Sequence, residues 1–345
     1  MAKKQIIVGG VPVGGGAPVT VQSMTNTKTE NAQATIAQIK RLEAAGCDIV
    51  RVAVPNTEAA HAIAKIKENI DIPLVADIHF SHRLAIEAAA AGADKIRINP
   101  GNIGGEDNVK AVVDACRARN LPIRIGVNGG SLEKELLDKY GITPRAMVES
   151  AMGHVRLLNK FDFDDICISV KSSSVKLTVE AYRLLSQETD YPLHLGVTEA
   201  GTEYMGIVKN SIGIGSLLND GIGDTIRVSL TAEPEKEVKA GLSILKALDL
   251  RRGVKIVSCP TCGRTNIDLF SIANDVEKRL EDCTKDITVA VMGCAVNGPG
   301  EASHADFGIA GGNNEGILFR KGEIIKKVPM EQLPDELIHM IYDAD

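Results

Sequence analysis

The chain has 345 residues, 44% hydrophobic and 24% charged, enough apolar material for two packed domains. Its formal net charge of −6 argues against a general attraction to nucleic acid or acidic membrane surfaces. With no Trp and only 3% aromatic residues, it also lacks stacking platforms for single strands. Any anionic ligand must therefore be gripped by a local cluster of Arg and Lys.

The opening stretch MAKKQIIVGGVPVGGG carries two lysines, but its apolar run is too short and too broken by glycine for a secretory signal. No stretch approaches the ~20 apolar residues of a membrane span. The expected compartment is the cytoplasm. Seven cysteines, an odd number, point to metal or redox chemistry at some of them rather than to a disulfide framework. Residues 8–16 read as a short hairpin leading into the first strand.

From there a short apolar, β-rich segment recurs, each copy followed by a helix-length amphipathic stretch. The segments are VTVQSMT (19–25), DIVRVAVP (48–55), PLVADIHF (73–80), KIRINPG (95–101), PIRIGVN (122–128), DICISVKSS (165–173), LHLGVTEAG (193–201) and TIRVSLT (225–231). This spacing requires parallel strands joined by helical crossovers. Eight units over about 250 residues match a closed (β/α)8 TIM barrel. An open doubly wound sheet would carry a glycine-rich phosphate loop after its first strand, and QSMTNTKT is none.

After EVKAGLSILKALDLRRG the pattern changes. Residues 254–345 read as strand, CxxC turn, helix, strand (DITVAVMG), glycine-rich turn, two short strands (DFGIAGG, GILFRKG) and a final helix. The expected fold is thus α/β: a TIM barrel over residues 1–253 and a smaller C-terminal α+β domain over 254–345, with DLRRGVK as the linker.

Binding residues of such barrels sit at the C-terminal ends of the strands. Read in order, the segments offer Arg51, then Asp77 with His79, then Arg97 with Asn99. Arg124 with Asn128, Lys171, Glu199, and Arg227 with Ser229 and Thr231 follow. Residues two apart on a strand share a face, so each of these sets can converge on one mouth. A single strand Arg is more often salt-bridged or solvent-facing. Several at equivalent positions are harder to explain that way, because uncompensated buried charge is costly. A polyanion is the natural compensation, and Arg grips phosphate oxygens in bidentate fashion. The pattern points to a phosphate- or diphosphate-bearing substrate. Glu199 reads either as a counter-ion or as a proton donor, and His79 as a possible orienter of Asp77.

Cys259 and Cys262 form SCPTCGR; another 31 residues precede Cys294, and six more precede Glu301 in MGCAVNGPGE. A CxxC turn can aim two thiolates at one metal or cluster. Spacing alone does not separate an iron–sulfur site from a zinc site completed by Cys283 or His304. A zinc-stapled, non-catalytic barrel that binds a phosphorylated metabolite is therefore the competing reading. Cys283, in the charged stretch KRLEDCTKD, reads as solvent-side. Cys47, Cys116 and Cys167 read as small hydrophobes of the barrel.

VQSMTNT, VADIHF, IRINPGN, IRIGVNGGSL, SVKSS, LGVTEAG, SCPTCGR and GCAVNGPGE together resemble, along almost the whole chain, the bacterial 4-hydroxy-3-methylbut-2-en-1-yl diphosphate synthases of the non-mevalonate isoprenoid pathway, in their short two-domain form. The resemblance implies a [4Fe–4S] cluster held by Cys259, Cys262, Cys294 and Glu301, leaving Cys283 out. It implies reductive ring opening and dehydration of 2-C-methyl-D-erythritol 2,4-cyclodiphosphate, with single electrons from flavodoxin or ferredoxin. It matches Arg51, Arg97, Arg124, Asn128, Lys171 and Ser229 to diphosphate contacts, Asn297 to a ligand contact from the cluster side, and Glu199 to the proton donor. Asp77, His79, Asn99 and Arg227 join the expected substrate-binding set. It further implies a head-to-tail homodimer, in which the cluster domain of one chain covers the barrel mouth of its partner.

Overall fold

Val, Ile and Leu dominate the recurrent segments, and helix caps punctuate them. Asn31, Asn56, Thr143 and Ser174 each accept a hydrogen bond from an amide in the first turn of the helix they precede. The computed structural model describes residues 2–265, 267–294, 302–312 and 315–344. The chain divides into two compact units, residues 1–250 and 251–345. The division falls inside DLRRGVK, after Leu250 rather than after Gly253.

In the first unit, strands β1 (Gln5–Val8) and β2 (Val11–Gly14) form an antiparallel hairpin. Its Gly9–Gly10 turn takes φ values of +53° and +91°, which side chains disfavour. Eight strands follow: β3 (Thr20–Met24), β4 (Ile49–Ala53), β5 (Leu74–Asp77), β6 (Lys95–Ile98), β7 (Ile123–Asn128), β8 (Ile166–Lys171), β9 (His194–Leu195) and β10 (Thr225–Ile226). Each pairs in parallel with the next from β3 to β8, and β9 pairs with β10. The Ile168–Leu193 bridge joins β8 to the segment of β9, and Thr225 pairs with Thr20 to close the ring.

Closure sorts the side chains. Val50, Val52, Ile96, Ile98, Ile123, Ile125 and Val127 belong to the main apolar core, with the surrounding helices. The alternate residues face inward, and the lowest of them, Ile49, Val75 and Cys167, pack on Ile6, Val8 and Val13 of the hairpin. The hairpin is therefore a plug for the N-terminal end of the barrel, not only a lead-in to β3. Cys47, Cys116 and Cys167 are buried here as expected, and burial pushes the Cys47 and Cys116 thiols up to about 12.

The second unit holds a mixed sheet of β11 (Lys255–Ser258), β12 (Thr288–Met292), β13 (Phe307–Ala310), β14 (Glu315–Arg320) and β15 (Glu323–Pro329), in that order. The first three run parallel and the last two antiparallel. Helices Leu269–Arg279 and Leu333–Asp343 supply apolar residues to the same core. The fifth strand differs from the sequence reading. EIIKKVP is almost wholly exposed, an edge strand whose lysines blur the usual alternation and discourage edge pairing. Cys283 differs too. It is buried with Val276 and Leu280 in the apolar core, not turned to solvent. Among the described residues, no helix is long and apolar enough to cross a membrane.

Candidate active site

The barrel register sets the site. Arg97 pairs with Arg124 across β6 and β7, and Asn128 pairs with Lys171 across β7 and β8. Arg51, Asp77, His79, Arg97, Arg124, Asn128, Lys171, Arg227 and Ser229 line one cavity of about 160 Å³ with Ser169 and Thr198. That volume is below the ~300 Å³ of ordinary small-molecule pockets and suits a compact polyanion.

The cavity is strongly cationic. Among the described residues, Arg51, Arg97, Arg124, Lys171 and Arg227 face two carboxylates, Asp77 and Glu237. Arg97 Nη1 donates to Asp77 Oδ1 at 3.0 Å, and Arg51 Nε lies 3.8 Å from Asp77 Oδ2. Arg227 Nη2 sits 3.4 Å from Glu237 Oε2. Five cations against two anions leave a formal surplus of three positive charges. Arg51 also donates from Nε and Nη2 to Met24 Sδ at 3.1 and 2.9 Å, a weak acceptor for a buried guanidinium. Arg124 is 1% exposed, and its Nε and Nη1 have no hydrogen-bond partner among the described residues.

Titration reflects this crowding. Burial, and then the neighbouring guanidiniums, push the Lys171 ammonium well below its ordinary range. Burial lowers Arg51 in the same way, against the opposing pull of Asp77. Burial and Arg97 bring Arg124 down to about 10. Burial alone would raise the Asp77 carboxyl, but Arg51, Arg97 and Arg124 outweigh it and hold it below the usual carboxylate range. A site poised this way is short of anions.

Glycine makes room for the cations. A Cβ on Gly126 would stand 2.5 Å from Arg97 Nε, and one on Gly196 would stand 2.6 Å from Lys171 Nζ. Gly126→Ala is expected to fold normally but displace the Arg97 guanidinium from Asp77. Steady-state kinetics should show KM up about tenfold, the scale of one weakened charged hydrogen bond; an unchanged KM would mean that Arg97 does not need that position.

Other expected residues are placed differently. Asn99 is buried but does not line the cavity, because its Oδ1 accepts from Gly101 N at 3.1 Å and caps the turn Pro100–Asn102. Glu199 is exposed beyond β9, with a left-handed backbone at φ +51°. Asn297 and Glu301 lie outside the described residues.

Sequence reading missed Ser169, Thr198 and Glu237. Ser169 stands two residues before Lys171, and Thr198 two after Gly196, so strand period could have found them. Glu237 comes from helix Pro234–Ala247. Its carboxylate accepts from Ser23 Oγ at 3.2 Å and Leu230 N at 3.0 Å as well as facing Arg227. Nothing local announces that role.

In the second unit, Cys259 and Cys294 follow the C-terminal ends of neighbouring parallel strands, β11 and β12. Cys259 Sγ accepts the amide N–H of Gly293 at 3.2 Å, one residue before Cys294. Cys262 is exposed, and the Arg264 backbone amide, then its side chain, hold its thiol below the ordinary value. Soft sulfur donors at two adjacent strand ends suit a thiolate-bound metal centre. Among the described residues, no three His, Cys, Asp or Glu side chains form a complete metal-holding group.

A model of the GcpE TIM-barrel domain matches residues 3–242, and one of the GcpE protein C-terminal domain matches residues 255–343. The chain belongs to the GcpE family. Among its GcpE relatives is the 4-hydroxy-3-methylbut-2-en-1-yl diphosphate synthase (flavodoxin) of Ruminiclostridium cellulolyticum, 59% identical over 98% of this chain and 96% of that one. The enzymes of the same name from Caldanaerobacter subterraneus and Clostridium perfringens are 60% identical over 98% of this chain, covering 96% and 97% of theirs. The GcpE barrel also resembles solved structures. The type I 3-dehydroquinate dehydratase of Clostridium difficile is 17% identical with a TM-score of 0.52, and a dihydropteroate synthase of Xanthomonas albilineans is 14% identical with 0.51. Both matches cover 71% of this chain and 97% of the other. At that identity the likeness is one of fold alone.

Proposed function

We infer that this chain catalyses the reductive ring opening and dehydration of 2-C-methyl-D-erythritol 2,4-cyclodiphosphate to (E)-4-hydroxy-3-methylbut-2-enyl diphosphate. It is an oxidoreductase of isoprenoid biosynthesis. The observation that carries this reading is 59–60% identity, over nearly its whole length, to enzymes bearing that name. The cationic cavity supplies the physical counterpart, since each phosphoryl group brings negative charge to a surplus of buried cations.

Arg51, Arg97, Arg124, Lys171 and Arg227 bind the phosphoryl oxygens, and Asn128 and Ser229 add neutral hydrogen bonds. Asp77 holds Arg51 and Arg97 in place, and His79 lies at the cavity edge to meet the substrate. Asn99 keeps the turn after β6 in shape, and Asn297 approaches the ligand from the cluster side. Cys259, Cys262, Cys294 and Glu301 would hold a [4Fe–4S] cluster, which when bound supplies two single electrons from flavodoxin or ferredoxin. The relatives' name favours flavodoxin. Glu199 donates the proton with which the substrate hydroxyl leaves as water. Its left-handed backbone supports that role, since strain of this kind gathers at functional positions.

The barrel unit is the substrate-binding domain and the second unit the cluster domain. Two copies assemble head to tail in the cytoplasm, each cluster domain covering the other's barrel mouth and excluding water. Sedimentation of the anaerobic protein as a monomer would remove the assembly from this reading.

Protein purified without oxygen is expected to be brown, with broad absorption near ~400 nm, and to convert the cyclic diphosphate when supplied with reduced flavodoxin. A colourless protein with one zinc per chain and no turnover would instead establish the zinc-stapled barrel. Glu199→Gln is expected to keep its iron and its substrate affinity while turnover falls ~10²-fold, the scale of a lost general acid. Loss of iron in that variant would assign Glu199 a structural task.

A further inference from the structure

Beneath the phosphate cavity lies a second polar layer. Lys95 stands two residues before Arg97 on β6, paired in register with Val75, and is fully buried. Its Nζ has no hydrogen-bond partner among the described residues. Asp94 offers no help, because its carboxylate is committed to Lys67 Nζ at 2.6 Å and Leu74 N at 2.7 Å. Elsewhere in the barrel interior the buried atoms Gln22 Nε2 and Oε1, Thr20 Oγ1, His194 Nε2, and Arg124 Nε and Nη1 are likewise without partners among the described residues. All belong to inward-facing strand positions. So many buried unpartnered atoms call for ordered water, which is also a path for protons.

The groups facing Lys95 contain little to hold a charge there. Arg124 on β7 and Arg51 on β4 repel its ammonium, and Cys167 on β8 is a buried thiol. His194 on β9 is kept neutral by burial and by the surrounding cations. Thr20 and Gln22 on β3 and Thr225 on β10 carry no charge, and the hairpin below presents Ile6, Val8 and Val13. Asp77, the nearest carboxylate by strand, serves Arg51 and Arg97.

We propose that Lys95 is a buried proton acceptor that takes up charge when anionic substrate fills the cavity above it, so that binding in alkaline solution draws up to one proton into the barrel. The step forms one N–H bond on Nζ and takes its proton from solvent. The proposal rests on the anionic reading of the cavity. Burial already brings Lys95 down to about 8 in the empty protein, with Arg124 and Arg51 adding to the effect. Negative charge overhead favours the ammonium and moves it back up. The sign follows: the Lys95 charge assists anion binding fully below pH 8, and that help fades as pH rises through the values of the free and then the bound protein.

Isothermal titration calorimetry of the anaerobic holoprotein, in Hepes and Tris buffers of different ionisation enthalpy, counts the protons. Two probes are used, sulfate and the cyclic diphosphate. Neither titrates between pH 6.5 and 8.5, because sulfate is a full dianion there and each ring phosphoryl has a single, strongly acidic oxygen. The wild type is expected to take up roughly 0.7 proton at pH 8.5 through Lys95 and close to none at pH 6.5, as a group titrating near 8 requires. Lys95→Met and Lys95→Arg should both lose that uptake, and Lys95→Arg, charged throughout, should bind at pH 8.5 at least as tightly as the wild type.

Lys171 is the rival proton acceptor, and the Arg variant separates the two. Burial and four guanidiniums hold Lys171 down in the Arg variant as in the wild type, so uptake retained in Lys95→Arg would assign the proton to Lys171 and overturn the proposal. Equal uptake in all three proteins, or none in the wild type at pH 8.5, would overturn it as well. Sulfate binding without cyclic diphosphate binding would sink the proposed substrate, while the sulfate arm still decides the fate of Lys95. If neither probe binds, the anionic reading falls and this inference with it.

Discussion

Arg124→Met is expected to unfold several degrees above the wild type and to bind the cyclic diphosphate about 10²-fold more weakly. Both effects have one cause. Arg124 is almost wholly buried, repelled by Arg97, and leaves two of its nitrogens without partners among the described residues. Its displacement from 12.5 to about 10 corresponds to about 3 kcal/mol of disfavoured charge in the empty protein. Met fills a similar space without that charge. For a unit of this size, each 1 kcal/mol moves the midpoint by roughly 2–4 °C. Bound anion reverses the balance, because charged hydrogen bonds of about 1.5–3 kcal/mol are then lost. Thermal unfolding of empty protein and calorimetric affinity test the two halves together. A lower midpoint with intact affinity would show that Arg124 is a structural cation and not a ligand grip. A site that is costly when empty follows the usual conflict between stability and function.

Cys259→Ser is expected to abolish the ~400 nm absorption, the bound iron and turnover together, because a hydroxyl is a poor substitute for a thiolate. Cys116→Ala, by contrast, should stay brown and active while losing some stability, since Cys116 is fully buried in the barrel's apolar core. Glu301→Ala should weaken iron retention without eliminating it, as three thiolates remain. Iron and sulfide analysis on oxygen-free material reads all three variants. Wild-type iron in Cys259→Ser would strike Cys259 from the ligand set, and wild-type iron and turnover in Glu301→Ala would strike Glu301.

Much of the site was legible because its carriers obey strand period. Arg97 and Asn99, or Arg124 and Asn128, can be placed on one face by counting residues. Yet counting put Asn99 in the cavity, whereas its amide caps a local turn, a competition typical of Asn. Lys95 has the same parity as Arg97, but nothing in the local sequence sets it apart. Its burial depends on the hairpin that stops the barrel beneath it. Cys283 looked solvent-side because its chain neighbours are charged, though the apolar residues that enclose it come from a helix and sheet formed elsewhere.

By itself the sequence determined the eight-fold alternation of strand and helix and the shared parity of the cations along their strands. These follow from backbone periodicity and from local chemistry, which neighbouring residues settle among themselves. Only the tertiary structure decided that Glu237 faces Arg227, that the N-terminal hairpin plugs the barrel, that EIIKKVP is an edge strand, and that Lys95 is sealed without a partner among the described residues. Each of these depends on which distant segments meet once the ring closes, and solvent exclusion at those meetings leaves no mark on local residue order.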